Sequence, residues 1–125
     1  MGIVITRAAK KHYKDVGALF DLYRQFYKYR ANLKASTKYI KDRINQNESF
    51  IFICFYKKEP AGFVQLYETF DSLNINKKLI LYDLYVDKKY RKNGIGRKLM
   101  DKAKKLAKFK KIQNIELSTA KNNKK

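Results

Sequence analysis

The chain has 125 residues, 45% of them hydrophobic, with 30 Lys plus Arg against 11 Asp plus Glu, a formal net charge of +19. That apolar share excludes a disordered chain by composition, and no apolar stretch approaches the roughly 20 residues of a membrane span. A single cysteine excludes an internal disulfide and fits a reducing compartment, and Met1 to Thr6 is too short and wrongly flanked for a signal peptide, so a cytoplasmic location is expected.

The length suits one domain over residues 1–125. Its elements follow from period and punctuation. Ile3 to Thr6 is a short strand. From about His12 to Tyr29, Val16, Leu19, Phe20, Tyr23, Phe26 and Tyr27 recur at spacings of three and four, which makes an amphipathic helix. Ser36 is the expected N-cap of a second helix running to about Gln46. Ser49 to Tyr56, dense in β-branched and aromatic residues, is a buried strand. Lys57 to Pro60 is a turn and Ala61 to Phe70 the antiparallel return strand. Asp71 to Asn76 is a polar loop, Lys78 to Asp87 a central strand, Gly94 to about Lys110 a helix, and Gln113 to Thr119 the last strand. The order βααβββαβ is a mixed α/β fold without repeat, linker or second domain.

The charge raises a nucleic-acid reading, since basic residues interleaved with Tyr and Phe can grip phosphates and stack on bases. The lysines are nevertheless scattered along the whole chain. Lys, Asn and Ile are abundant together, the mark of a compositional bias, and no specific nucleic-acid partner is expected.

The segment Tyr90-Arg91-Lys92-Asn93-Gly94-Ile95-Gly96-Arg97 lies between the apolar run Leu79 to Val86 and a helix start. Strand, basic glycine loop, helix is an arrangement that offers free backbone N–H groups and a positive dipole end to an anion. It lacks the G-x-x-x-x-G-K-[ST] of a P-loop, and Leu99 stands where a dinucleotide fingerprint needs a small residue. What remains is R-x-x-G-x-G, filled by Arg91, Gly94 and Gly96.

This pattern resembles the acetyl-coenzyme A signature of the Gcn5-related N-acetyltransferases, the GNAT family. Leu81 to Asp87 is similar to the strand before that signature, Gly62 to Tyr67 resembles the preceding strand of one subgroup, and Asn114 to Ala120 resembles the strand after it. The resemblance implies an acyl-CoA N-acyltransferase fold and acetyl transfer from acetyl-CoA to a primary amine, on a small molecule or a protein. It also implies that Tyr85 and Val86 pair with the pantetheine arm through backbone groups. Arg91, Lys92, Asn93, Gly94, Ile95, Gly96 and Arg97 would hold the pyrophosphate. A coenzyme A-binding remnant without turnover and a basic nucleic-acid-binding module are the alternatives.

Asp83 interrupts an apolar strand, where a carboxylate is costly unless paired or useful, and is the candidate general base. Glu68 is second to it. Tyr23, Tyr27, Tyr67 and Tyr82 are candidates for an acceptor pocket, although aromatic residues at such spacing usually build core. Cys54 reads as a buried small hydrophobe. His12 stands alone, and no cluster has metal-ligand spacing. Measured against the family, the sequence ends early. Asn123 best matches an asparagine that opens a further coenzyme A-contacting helix, but that helix, its thiolate-protonating tyrosine and the closing strands are missing. A homodimer covering the edge near Glu116 to Ala120, and low turnover, are therefore expected.

Overall fold

A computed structural model describes residues 2–118. The element order is the expected one: β1 (Ile3–Arg7), α1 (Tyr13–Phe26), α2 (Leu33–Asn45), β2 (Phe50–Tyr56), β3 (Glu59–Asp71), β4 (Asn76–Val86), α3 (Ile95–Phe109) and β5 (Ile115–Leu117). The five strands form one sheet in the order β1-β2-β3-β4-β5. Neighbours among the first four are antiparallel, whereas β5 runs parallel to β4 because α3 carries the chain back across the sheet.

Several boundaries differ from expectation for local reasons. A 3-10 turn at Lys10–His12 precedes α1, with the Ala9 N–H donating to His12 Nδ1 at 2.8 Å. The helix stops at Phe26, short of Tyr29, because Lys28 adopts a left-handed conformation (φ 71°) that cannot continue it. Ser36 is not an N-cap. Asn32 takes that place, its side-chain oxygen accepting the Ala35 N–H at 3.0 Å. Ser36 instead lies inside α2, buried, its hydroxyl donating to Asp21 at 2.7 Å. The β2–β3 turn is tighter than Lys57 to Pro60. Lys57 and Lys58 alone turn the chain, both at positive φ (50° and 74°), and Glu59 and Pro60 already pair in the ladder. β5 is shorter than expected, and Thr119 lies outside the described residues.

Each face of the sheet carries one core. On one side Ile95, Leu99, Ala103 and Ala107 of α3 pack on Cys54, Val64, Leu66, Leu79 and Leu81. On the other, Val16 and Leu19 of α1 and Ile40 of α2 pack on Ile51, Ile53 and Phe63. Each fully buried Leu or Ile contributes on the order of 2 kcal/mol through the apolar surface it removes from water. Two contacts require glycine for lack of a Cβ. At Gly62 a Cβ would stand 2.8 Å from the Tyr85 carbonyl oxygen, and at Gly17 it would stand 2.7 Å from Thr37 Cα on α2.

Candidate active site

The site begins with one extra residue in β4. Gln65 pairs with Asp83 and Leu66 with Leu81, which leaves Tyr82 as a β-bulge. In an unbulged ladder that kept Tyr82, Asp83 would share a face with Leu79 and Leu81 and enter the α3 core. The bulge shifts the phase. Leu84 and Val86 take over the α3 side, while Asp83 and Tyr85 turn toward α1. Pairing with β5 ends at the same place: Leu79, Ile80 and Leu81 pair with Ile115, Glu116 and Leu117, and the Ser118 N–H reaches the Leu81 carbonyl at 3.0 Å. From there to Val86 the outer edge of β4 carries no strand among the described residues.

A groove of about 490 Å³ lies along that edge, walled by Tyr23, Phe26 and Tyr85 and closed at one end by Arg91, Gly94 and Gly96. The Asp87 N–H bonds to the Ala61 carbonyl at 2.8 Å. Alternation then turns the backbone groups of Tyr85 toward β3 and those of Val86 outward. Val86 thus presents its N–H to the groove, and Tyr85 its ring.

At the groove's end, Asp87 caps a 3-10 turn at Lys88–Tyr90, and a loop leads to Gly94 at the N-cap of α3 with φ 76°. The first intrahelical bond is Lys98 N–H to Gly94 C=O at 3.1 Å. The N–H groups of Gly94, Ile95, Gly96 and Arg97 stand upstream of it, without intrahelical acceptors. Nothing lies within 4 Å of where a Gly94 Cβ would stand. The cradle is open and rich in donors, the environment an anionic group needs.

Asp83 sits beside this groove in a defined hydrogen-bond chain. The Ser49 hydroxyl donates to Gln65 Oε1 at 2.7 Å, which orients the fully buried amide so that Gln65 Nε2 donates to Asp83 Oδ2 at 2.8 Å. Burial raises the Asp83 pKa above the ordinary carboxylate value, against the opposing influence of Gln65 and Tyr23. The Tyr23 hydroxyl, alongside, donates to the Tyr82 carbonyl at 3.2 Å, and burial, then the charge of Asp83, raises its own pKa. Asp83 also lines a second recess of about 520 Å³, with Phe20, Tyr39, Tyr67, Tyr82 and Glu68.

Sequence comparison accounts for this layout. The profile of the Acetyltransferase (GNAT) family matches residues 16–125. The chain belongs to the GNAT family. It is 34% identical over 110 residues to the uncharacterized N-acetyltransferase YhfO of Bacillus subtilis (strain 168), covering 88% of this chain and 74% of the relative. The crystal structure of a probable acetyltransferase superposes with a TM-score of 0.88 at 30% identity, covering 97% and 82% of the two chains. A predicted acetyltransferase from Clostridium acetobutylicum, crystallised with acetyl-CoA, shares the fold (TM-score 0.78, 17% identity, 98% and 84% coverage). As a GNAT protein this chain is an N-acetyltransferase, a member of a family that uses acetyl-CoA.

The GNAT loop residues divide by role in the structure. The Arg91 Nε donates to the Val86 carbonyl at 2.9 Å, and its guanidinium lies 5.5 Å from the Tyr85 ring and 5.7 Å from that of Phe26. Lys92 lines the groove. Asn93 Nδ2 donates to the Tyr90 carbonyl at 2.9 Å and so braces the loop. Ile95 is buried against the sheet and offers the groove only its backbone. Arg97 is exposed and lies outside the groove's lining. Asn123 lies outside the described residues.

Of the remaining candidates, Glu68 is taken up by Lys77 (2.9 Å) and Lys110 (3.1 Å), and the Lys77 bond is first among the causes that lower its pKa. Tyr27 lines the groove, and Tyr67 and Tyr82 line the recess rather than core, Tyr82 being 44% exposed. Cys54 is buried in the α3 core, and burial pushes its thiol up to about 11, which leaves it inert at neutral pH. His12 packs against Phe55, outside both cavities. Among the described residues no helix is long and apolar enough to cross a membrane.

Gln65 and Ser49, which the sequence alone did not single out, hold Asp83 through this hydrogen-bond chain. Their signal was a polar residue within the apolar run of β3 and another just before β2, joined to Asp83 only once β2, β3 and β4 are aligned.

Proposed function

We propose that this chain transfers an acetyl group from acetyl-coenzyme A to a primary amine, with the donor in the groove and the amine entering from the aromatic recess. The observation that carries this reading is the position of Asp83. It stands where the recess meets the strand that floors the groove, oriented by a buried amide.

Acetyl-coenzyme A, when bound, supplies an activated acyl group and a thiol leaving group. The chain's own residues do the rest. The Val86 N–H is placed to polarise the acyl oxygen, the kind of fixed donor that stabilises developing negative charge. The N–H groups at 94–97, with Lys92 and the remaining donors of Arg91, suit a pyrophosphate. Asn93 holds their loop in shape, and Arg97 adds to the field. Asp83 takes one proton from the bound ammonium, a task that its raised pKa favours, and so frees the nitrogen lone pair to attack the acyl carbon. As the C–N bond forms and the C–S bond breaks, the proton the nitrogen then sheds goes to the departing thiolate. With its single, buried cysteine we assign the enzyme to a reducing compartment, the cytoplasm.

The test pairs binding with turnover. Acetyl-CoA and desulfo-CoA should both raise the melting temperature by linkage, and acetyl-CoA plus a primary amine should release free thiol. The absence of any shift at millimolar cofactor removes the reading. A shift without thiol release across a broad amine panel identifies a coenzyme A-binding protein without turnover.

A further inference from the structure

The recess beside Asp83 is built for a particular kind of amine. Its wall is a set of connected rings. Phe20 stacks on Tyr39 with centroids 5.4 Å apart and planes 13° apart, and Tyr67 meets Tyr82 edge-on at 5.1 Å and 87°. The hydroxyls of Tyr39 and Tyr67 are 3.0 Å apart and bond to each other. That bond occupies one donor and one acceptor of the two phenols, and most of what the wall offers is π surface.

The charges decide the rest. Two carboxylates line the recess. Glu68 is already bound by Lys77 and Lys110, and the Arg43 guanidinium covers the Tyr39 ring at 4.3 Å while pairing with Glu48 at 2.7 Å. Asp83, by contrast, is held by the neutral amide of Gln65, and no cation of the described residues forms a salt bridge with it. The recess therefore has a vacancy for one positive charge. A second cationic group on the substrate would find no second free carboxylate in the recess, on a chain of net charge +19.

We infer that the acceptor is a monoamine on a compact aromatic or apolar stem, its ammonium directed to Asp83 and its stem lying against Tyr67 and Tyr82. This rests on the acetyl-transfer reading for its direction, but the binding it describes is measurable without turnover. A single ammonium gains both the carboxylate and the ring faces, and the volume of about 520 Å³ accommodates a phenylethyl group. Polyamines and aminoglycosides gain the same single contact, while their further charges find no free carboxylate in the recess and face a chain of net charge +19.

Calorimetric titration of the full chain with 2-phenylethylamine and with spermidine, at matched ionic strength, tests it. The aromatic monoamine should bind at least about tenfold more tightly. Tyr82→Leu, which keeps bulk but removes the π face, should weaken it by a similar factor and leave the acetyl-CoA-induced thermal shift unchanged. Spermidine or an aminoglycoside binding as tightly as the monoamine overturns the inference, as does a Tyr82→Leu protein that binds it normally. Failure of the monoamine to bind a protein that still responds to acetyl-CoA overturns this inference alone. Failure of acetyl-CoA to bind overturns the acetyl-transfer reading, and the acceptor role with it.

Discussion

At the scale of single residues, Asp83 and Gly94 carry the most. Asp83 works only as a carboxylate, and burial raises the pKa through which it must be deprotonated. Activity is lost as pH falls through that value, so the acid limb of kcat/KM should lie above the usual carboxylate range. Asp83→Asn should remove that limb and lower kcat by roughly 10²- to 10⁴-fold, the scale of a lost general base, with the acetyl-CoA thermal shift retained. An unchanged rate returns Asp83 to a structural role. Gly94 matters through its backbone. At φ 76° any other residue is strained, and a branched side chain would project into the open cradle. Gly94→Val should cost about 1–2 kcal/mol of stability and abolish the thermal shift by acetyl-CoA. A urea melt of the variant with and without acetyl-CoA separates the two effects.

At the scale of elements, the β4 bulge shows what the sequence did and did not make legible. The existence, type and order of the eight elements follow from apolar period and turn residues, because burial enforces both. The bulge left a fainter trace. Leu79 and Leu81 alternate in one phase, Leu84 and Val86 in the other, and the slip falls at Tyr82 and Asp83. Ser36 misled for a physical reason: a serine serves equally as a cap or as a buried donor, and only the position of Asp21 decides between them. Deleting Tyr82 makes a sharp test, because the shortened strand keeps Leu79, Leu81, Leu84 and Val86 on one face without any bulge. The variant should therefore fold with a nearly unchanged melting temperature, yet lose most of its acetyl-CoA response as β4 straightens. A folded deletion variant with full response would detach the groove from the bulge.

The pairing of α1 with α2 depends on a buried carboxylate. Asp21, 4% exposed, accepts from the Ser36 hydroxyl (2.7 Å), the Asn32 N–H (3.0 Å) and Gln25 Nε2 (3.0 Å). Burial alone would raise its pKa, but these bonds and Arg24 outweigh burial and hold it below the ordinary value. A carboxyl lowered on folding stabilises above its unfolded pKa and loses that contribution as pH falls through its folded one. Asp21→Ala should cost about 2–4 kcal/mol at pH 7, through lost charge-assisted bonds and unpaired donors. Urea midpoints measured from pH 7 downward should show that deficit shrinking only below the ordinary carboxylate range. A deficit that is constant down to pH 2 would mean packing, not charge, holds the two helices.

At the scale of the whole molecule, charge and exposed apolar surface oppose each other. Phe70, Leu73 and Ile75, at the β3–β4 hairpin, are 76%, 96% and 92% exposed, and Leu117 on β5 is 55% exposed. Such side chains favour burial against a second copy, and a homodimer is the assembly we expect. The edge near Glu116 to Ala120 is its expected interface; there Glu116 pairs with Lys78 at 2.7 Å, and residues beyond Ser118 lie outside the described chain. A net charge of +19 resists bringing two copies together. Salt screens that repulsion, with a Debye length of about 10 Å at 0.1 M falling to about 3 Å at 1 M, while apolar burial persists. Self-association should therefore strengthen as salt rises. Polyanion binding must do the reverse, because each neutralised phosphate releases counterions. Light scattering from 0.05 to 1 M salt should show a growing dimer fraction, with Leu73→Asp plus Ile75→Asp holding the chain monomeric. Over the same range, binding to a random DNA duplex should fall steeply and show no sequence preference. A monomer at every salt concentration would refute the dimer, and sequence-selective DNA binding that survives high salt would mean the charge serves recognition.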